Sequence, residues 1–321
     1  MNRRELLGVL AATPLFARSA SAESYPNRTI RIIVPYPPGQ ASDVIARLLA
    51  DRLTSVFGQP VITENRPGAG GNIGTETGAR APSDGYTLTI ATAALPISKL
   101  VYPKLSFDPV ADFTPVTLMT ITPLVLVTAP RLGVNTVAEL VAYAKTNPGK
   151  VTFASSGPGT SHHLSGELFA ALAGVQLVHV PYRGSAPAHI DLMAGVVDIM
   201  FDNIVAVAPH VLQDKLKGLA VTTKTRAPLL PNLSTMAEAG FPDFEAVAWF
   251  GVLVPKNTPT AIVDRLNAEF GKALTSPDIR KKLVDMGAEV APGTPAQFEQ
   301  FLAADVARWQ PVVARANIAL E

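Results

Sequence analysis

The sequence predicts an α/β protein of two domains, each built around a mostly parallel sheet. Three observations lead to this prediction. The chain has 321 residues, which suggests about two domains. Short β-rich runs alternate with helical segments. The alternation occurs in two successive blocks that share no obvious sequence repeat. The chain is 48% hydrophobic and 17% charged, so it can build large cores and does not resemble a disordered protein.

The first block contains three predicted strands, at 29–35 (TIRIIVP), 60–63 and 86–92. Between the first two, Ser42 or Asp43 is expected to cap a helix whose apolar residues form one stripe and which ends at Gly58. A glycine-rich loop at 64–72 follows the second strand and leads into a short helix. Strand–helix–strand connections predict a parallel sheet with helices on both faces.

The second block repeats this alternation. Thr136 and Glu139 predict a capping box for a helix that ends near residues 147–149. A second helix carries leucines at helical spacing and ends at Gly174. The remaining predicted elements are a helix at 187–194 and strands at 151–154, 177–181, 196–201 and 219–223.

The C-terminal part predicts a return to the first domain. A strand-like run at 246–255 precedes two helices, one with Pro259 at its first position and one with a capping box at Thr294 and Gln297. The chain would then cross between domains near 122–127 and near 245–248, which makes a two-strand hinge. The predicted bounds are 23–124 with 247–321 for the first domain and 125–246 for the second.

Residues 1–22 have the pattern of an export signal. Arg3 and Arg4 precede an apolar segment of 11 residues at 6–16, far short of the roughly 20 residues that a membrane span needs. Ala-Ser-Ala at 20–22 is a small-residue cleavage site. We therefore expect export from the cytoplasm, by the general secretory or the twin-arginine route.

Several kinds of chemistry are excluded by composition and motif. The chain has no cysteine, so it has no disulfide, thiol nucleophile or cysteine-bound metal. Its formal charge of +1 offers no basic excess for nucleic acid. His162 and His163 are adjacent and point about 100° apart on a helix, so they do not suit one metal. The glycine-rich loop lacks the third glycine of a dinucleotide fingerprint. We predict no metal and no cofactor.

Two loops are the candidate ligand site. Residues 36–43 and 155–161 each follow a strand and lead into a helix, and ligands of open α/β sheets bind beyond the carboxyl ends of strands. Backbone N–H groups at a helix start carry about half a positive charge. Two facing loops of this kind would hold a small carboxylate without any cationic side chain. The alternative for each loop is an ordinary capped helix start.

Some candidate residues have two possible roles. His163 could line the cleft or bond to a loop carbonyl, and Asp202 and Asn203 could contact ligand or cap the next helix. Arg183 could pair with a carboxylate or with a surface acid. Asp43 is expected to cap its helix and shape the loop without touching ligand. The predicted ligand contacts are Tyr36, Gly39, Gln40, Ala41, Thr92, Ala93, Ser155, Ser156, Thr160, Ser161, His163, Arg183, Asp202 and Asn203.

Many segments of the chain, in order, resemble the Bug family of extracytoplasmic solute receptors of tripartite tricarboxylate transporters. They include TIRIIVPYPPGQASDVIARLLADRL, VITENRPGAGGNIGT, LSFDPVADFTPVT, FASSGPGTSHHLSGELF, HVPYRGSAPAHIDLMAG and WFGVLVPKNTP. The similarity runs from about Tyr25 to the C-terminus. It implies a type II periplasmic-binding-protein fold, whose two α/β domains, joined by a two-strand hinge, close on a ligand in the cleft between them.

The resemblance also implies a ligand and a partner. Dicarboxylates, amino-acid carboxylates or aromatic acids would be bound by residues 36–41 and 155–161, and a two-component inner-membrane permease would receive them from a periplasmic monomer. His163 matches the histidine of the family's Gly-Thr-x-x-His-Leu pattern. Gln40 departs from the family, which commonly has Pro-Gly-Gly where this chain has Pro38-Gly39-Gln40. A glutamine there alters the pocket or adds an amide contact.

The favoured hypothesis is therefore a non-enzymatic receptor for a small organic carboxylate. A carboxylate sensor that presents ligand to a membrane signalling protein uses the same module. A periplasmic serine hydrolase would need Ser156 or Ser161 beside His163. Removing residues 1–22 leaves 24 basic and 25 acidic side chains, or −1, so the remaining chain has no overall positive field to attract an anion. Any carboxylate must be held locally.

Overall fold

The computed structural model describes residues 25–102, 104–244 and 246–315. The export signal predicted at 1–22 lies outside the described residues. The strands are β1 (Ile30–Val34), β2 (Val61–Asn65), β3 (Thr87–Thr92), β4 (Phe113–Thr128), β5 (Val151–Ser155), β6 (Leu177–Pro181), β7 (Ile199–Asn203), β8 (Lys217–Val221), β9 (Ser234–Thr235), β10 (Val247–Pro255) and β11 (Glu289–Val290). The helices are α1 (Ala41–Phe57), α2 (Asn72–Ala79), α3 (Ala94–Val101), α4 (Val137–Thr146), α5 (Ser161–Ala173), α6 (Ser185–Ala194), α7 (Ile204–Leu212), α8 (Thr260–Thr275), α9 (Pro277–Asp285) and α10 (Pro295–Arg315).

Two parallel groups of strands form the two α/β units. In the first, β1 pairs in parallel with β2 and β3. In the second, β5 pairs in parallel with β6 and β7. Each connection within a group passes through a helix, as parallel pairing requires. The predicted two-domain α/β fold is confirmed.

The strand β4 links the two groups. Its residues 113–123 pair antiparallel with β10, and its residues 124–128 pair antiparallel with β7 and β8. β10 in turn pairs antiparallel with β3. The strand order is therefore β2-β1-β3-β10-β4-β7-β5-β6. β4 changes partners within the predicted crossing at 122–127, while the exact domain bounds stay a prediction.

Both faces of the sheet are covered. Successive residues of β4 point to opposite faces, so Leu124 and Leu126 join one apolar cluster while Val125 and Val127 join the other. All four side chains are fully buried. This pattern explains why the strands are continuous apolar runs instead of alternating with polar residues.

The helix α1 shows how local sequence sets an element and where the prediction was wrong. Ile45, Leu49 and Leu53 form its buried stripe, and Gly58 ends it with a φ of 63°. The N-cap is Gln40, however, not Ser42 or Asp43. Asp43 occupies the third helical position, where its carboxylate accepts a hydrogen bond from the Gly39 N–H at 2.9 Å. Asp43 therefore holds the loop from inside the helix.

The C-terminal helices pack on the first unit, as predicted. α8 packs against α1 and β4, and α10 packs against α3 and β4. The capping box of α10 is confirmed: the Gln297 N–H donates to Thr294 Oγ1, and the Thr294 N–H donates to Gln297 Oε1 at 2.8 Å. Pro259 is the N-cap of α8 and not its first residue, because its ψ of 134° is extended.

Candidate functional site

A cavity lies between the two units. Its walls come from the loops after β1, β3, β5 and β7 and from the first half of β10. The lining residues are Tyr36, Gln40, Ala41, Thr92, Ala93, Ala94, Thr160, Ser161, His162, Asn203, Ala248, Trp249 and Phe250. The cavity therefore sits at the carboxyl ends of the parallel strands, where open α/β sheets bind ligands.

Four helices begin at this cavity. Ala41 is the first residue of α1, Ala94 of α3 and Ser161 of α5, and Asn203 caps α7. The first-turn N–H groups of a helix have no partner within the helix, and its N-terminus carries about half a positive charge. The four starts thus make one region that favours negative charge.

Local caps orient these helix starts. The Thr160 hydroxyl accepts a hydrogen bond from the His163 N–H, and Asn203 Oδ1 accepts one from the Val205 N–H at 3.1 Å. Asn203 Nδ2 also donates to Thr122 Oγ1 at 2.6 Å, which ties the start of α7 to β4. Asn203 is therefore a helix cap that also lines the cavity. The predicted cap is present, and contact with a ligand stays a prediction.

The side chains that line the cavity around these four helix N-termini are uncharged. Among the described residues that line the cavity, none is Lys, Arg, Asp or Glu. Trp249 forms an apolar wall because its Nε1–H is committed to Asp305 Oδ2 at 2.9 Å. An anion bound here would have to be stabilised by backbone N–H groups, hydroxyls and amides. Such an arrangement selects small polar anions without needing a fixed cation.

The first ligand loop is held rigidly. The Tyr36 hydroxyl donates to the Gly70 carbonyl at 2.9 Å, and burial raises the pKa of Tyr36 to about 12, so the phenol stays neutral. Burial acts to raise the pKa of Asp43, but hydrogen bonds from Arg47, Gly39 and Asn65 outweigh it and hold that pKa below its usual value. The carboxylate of Asp43 is therefore ionised and pins the loop.

Eight of the predicted contacts line the cavity and six do not. The eight are Tyr36, Gln40, Ala41, Thr92, Ala93, Thr160, Ser161 and Asn203. The six are Gly39, Ser155, Ser156, His163, Arg183 and Asp202. The predicted ligand contacts did not include Ala94, His162, Ala248, Trp249 or Phe250.

His162 and not His163 faces the cavity. The ring of His163 stacks on His179 with 4.0 Å between ring centroids, and its Nδ1 accepts a hydrogen bond from the Gly159 N–H at 3.2 Å. His162 is one residue earlier and points about 100° away on the helix. His163 therefore bonds to the loop backbone, but it accepts from an N–H group and does not donate to a carbonyl as was expected.

A buried polar cluster lies behind His162. Asp202 is fully buried and accepts hydrogen bonds from Ser185 Oγ at 2.9 Å and from its neighbour's N–H. Its other oxygen lies 2.5 Å from His189 Nε2, and His162 Nε2 is 3.2 Å from Asp202 Oδ1. Burial acts to raise the pKa of Asp202, but the two histidines and these hydrogen bonds hold it below its usual value. Asp202 therefore supports the cavity wall from behind.

Ser156 belongs to the same cluster. Its Oγ lies 2.9 Å from His162 Nδ1 and 3.2 Å from Ser185 Oγ, and the residue is only 4% exposed. Ser156, His162 and Asp202 thus follow one another as in a hydrolase triad. Neither serine of the hydrolase hypothesis bonds to His163. The Ser156 hydroxyl is held inside the wall and does not line the main cavity.

A second cavity adjoins the site and shares Tyr36 with it as a lining residue. The glycine-rich loop at 68–71 forms one wall, and Ser156, Gly157 and the exposed Arg183 contribute to the opposite wall. The walls touch nearby, where the Tyr102 hydroxyl donates to the Pro158 carbonyl at 3.4 Å. A side chain at Gly70 would place its Cβ 2.4 Å from that carbonyl oxygen, so only glycine allows this close approach.

The histidines of this region predict acid sensitivity of the fold. Burial, and then repulsion from His163, lowers the pKa of His179 to about 3, so protonation below pH 6.5 favours the unfolded chain. Stability contributed by neutral His179 is complete above pH 6.5 and lost as the pH falls toward 3. We expect His179→Phe to reduce the difference in unfolding free energy between pH 7 and pH 5 by about 1 kcal/mol, allowing for partial solvent exposure.

Urea denaturation at the two pH values measures this difference. The exposed Tyr143→Phe variant is the matched control, because it removes no group that titrates in this range. An unchanged pH difference in His179→Phe would contradict the assignment of a depressed pKa to this ring.

Two further properties of the described residues concern metal binding and membrane crossing. Within the described part of the chain, no group of His, Asp or Glu side chains is placed to hold a metal ion. Over the same residues, no helix combines the length and apolar character that crossing a bilayer requires.

The fold and the cleft define the class of a two-domain solute-binding protein, and a family model gives the family. The model described as "Tripartite tricarboxylate transporter family receptor" (TctC) matches residues 45–318. The chain therefore belongs to this receptor family. It is a solute-binding receptor and not an enzyme, and the predicted kinship with Bug proteins is confirmed.

Curated relatives cover nearly the whole chain. A UPF0065 protein from the tcbD–tcbE intergenic region of Pseudomonas sp. is 42% identical over 97% of this chain and 94% of its own length. Protein BugT of Bordetella pertussis is 39% identical over 98% of both chains.

Solved structures share the fold closely. R. palustris Rpa4515, solved with adipate, has a TM-score of 0.90 at 40% identity and covers 92% of this chain and 99% of its own. MatC (Rpa3494) from Rhodopseudomonas palustris, solved with bound malate, has a TM-score of 0.86 at 33% identity and covers 90% of this chain and all of its own.

Proposed function

We propose that this receptor captures a small organic carboxylate by hinge closure and delivers it to a tripartite tricarboxylate-type membrane permease. The observation that carries the proposal is the convergence of four helix N-termini on a cavity whose described lining has no charged side chain. Adipate and malate, the ligands named for two structural neighbours, are both dicarboxylates.

Closure would involve the two units predicted at 23–124 with 247–321 and at 125–246. Walls from both units surround the cavity, so a ligand would touch both only when the cleft is closed. Such differential contact is what couples binding to a conformational change. β4 and β10 run side by side between the units and would act as the hinge.

We further propose that the receptor acts in the periplasm as a monomer and is exported by residues 1–22. A reporter fused to residues 1–22 should be exported, and retention in the cytoplasm would overturn that part of the proposal.

Delivery is tested by deleting the receptor gene. Cells without the receptor should no longer take up the acid that the receptor binds. Normal uptake together with a lost transcriptional response would favour the sensor alternative.

We expect organic acids to raise the melting temperature of refolded protein from which any bound ligand has been removed. A ligand present at 100 times its dissociation constant stabilises a protein by about 2.7 kcal/mol. A thermal-shift panel of mono-, di- and aromatic carboxylates, with sugars and short peptides as controls, measures the effect. Mass spectrometry of the acid released on denaturation would identify the natural ligand. Stabilisation by sugars or peptides alone would contradict the proposal.

A further inference from the structure

Gln40 lines the cavity, and the oxygen of its side-chain amide is buried without a hydrogen-bond partner among the described residues. The residue as a whole is 8% exposed. Gln40 is the N-cap of α1, yet its side chain does not bond to that helix. The oxygen is therefore not used for capping, which is the usual task of a polar side chain at this position.

The amide points across the cleft. Gln40 Oε1 lies 3.1 Å from the place where a Cβ on Gly184 would sit, in the loop that starts α6. Pro37, from the same ligand loop as Gln40, is equally close to that place at 3.0 Å. The carboxamide thus extends from the first unit to the wall of the second, at the edge of the main cavity.

An unpaired acceptor in this position is costly. A buried polar atom without a partner loses its interaction with water and gains no hydrogen bond in return. An acceptor is satisfied only by a donor. A carboxylate oxygen cannot supply one, and the carboxylate of a ligand is better placed at the helix N-termini. A hydroxyl or amino group on the same ligand can supply the donor.

We propose that Gln40 is a specificity-determining residue whose Oε1 accepts a hydrogen bond from the ligand. The cargo is then a carboxylate that also carries a hydroxyl or amino group. This inference rests on the proposed function and deepens it. Sites built to hydrogen-bond a ligand group discriminate strongly against analogues that lack the group, because the protein atom is then left unpaired.

Matched pairs of acids test the inference. Succinate against malate, succinate against aspartate, propionate against lactate, and glutarate against 2-hydroxyglutarate each differ by one donor group. Isothermal titration with wild-type protein should show at least one donor-bearing member binding about tenfold or more tightly than its plain partner, which corresponds to about 1.4 kcal/mol. Gln40→Leu keeps the side-chain bulk and removes the amide. It should bring that ratio to within about threefold of unity, whatever the change in the affinity for the plain acid.

The possible outcomes separate the two proposals. A wild-type protein that binds plain acids as tightly as their donor-bearing partners in every pair would overturn the role of Gln40 and leave carboxylate binding intact. A preserved ratio in Gln40→Leu, or an equal loss of both members, would also overturn it. Failure of the wild type to bind any acid would overturn the proposed function itself. Melting of the ligand-free variant establishes that it is folded, and Gln40→Gly serves as a second variant.

Discussion

Ser161→Glu is expected to lower the affinity for a carboxylate by about 100-fold or more, a loss of about 2.7 kcal/mol or greater. Ser161 is the first residue of α5, is 7% exposed and lines the cavity. A glutamate there would place its own carboxylate at the helix N-terminus that the ligand is proposed to use. It would occupy space and repel a second negative charge.

The fold should survive this change, because an acidic side chain in the first turn of a helix is favourable. Isothermal titration measures the affinity and thermal melting measures the fold. Ala261→Glu, in the exposed first turn of α8 and far from the cavity lining, is the matched control for added charge at a helix start. A folded Ser161→Glu protein with wild-type affinity would remove the start of α5 from the site.

Asp202→Ala is expected to lower the free energy of unfolding of the ligand-free protein by about 3–5 kcal/mol at pH 7. The carboxylate is fully buried, and its removal would leave the Ser185 hydroxyl, His189 and His162 without their common partner. Since its pKa is held below the usual value, Asp202 is ionised at pH 7.

Urea denaturation of ligand-free protein measures the loss. Asp285→Ala breaks an exposed ion pair with Lys281 and should cost less than about 1 kcal/mol, which makes it the control. A comparably small loss in Asp202→Ala would show that the cluster does not stabilise the fold. A loss that appears only when ligand is bound would show that Asp202 acts through the ligand.

Local sequence was sufficient to predict the elements with strong end signals. The stripe of α1 with its stop at Gly58, the side-chain cap at Thr136 and the capping box at Thr294 depend on neighbours within a few residues. The helices α3 and α9 were not predicted, and α7 was expected only as the helix that Asp202 or Asn203 could cap, without a range. The helices α3 and α7 are short and mostly apolar, and α7 contains Pro209. Their apolar residues follow directly on buried strands, so no change of pattern marks where the strand ends.

The two ligand loops could be recognised from the chain alone because a strand, a small-residue turn and a helix start are consecutive in sequence. Which side chains in and around them reach the cavity depends on contacts between segments far apart in the chain. The ring of His163 stacks on His179, whereas its neighbour His162 faces the cavity. The Ser156 hydroxyl does not line the main cavity because it bonds to His162 and Ser185.

The amino-acid sequence was thus enough for the two-unit α/β architecture, the family resemblance and the two loops that contribute to the cavity wall. Tertiary packing decided which residues form the lining. Ala94, at the start of α3, and the segment 248–250 of β10 enter the cavity only because β3 and β10 lie side by side, although they are far apart in the chain. Helix-start dipoles act over a few ångströms, so a site made from four of them exists only once the sheet has brought those starts together.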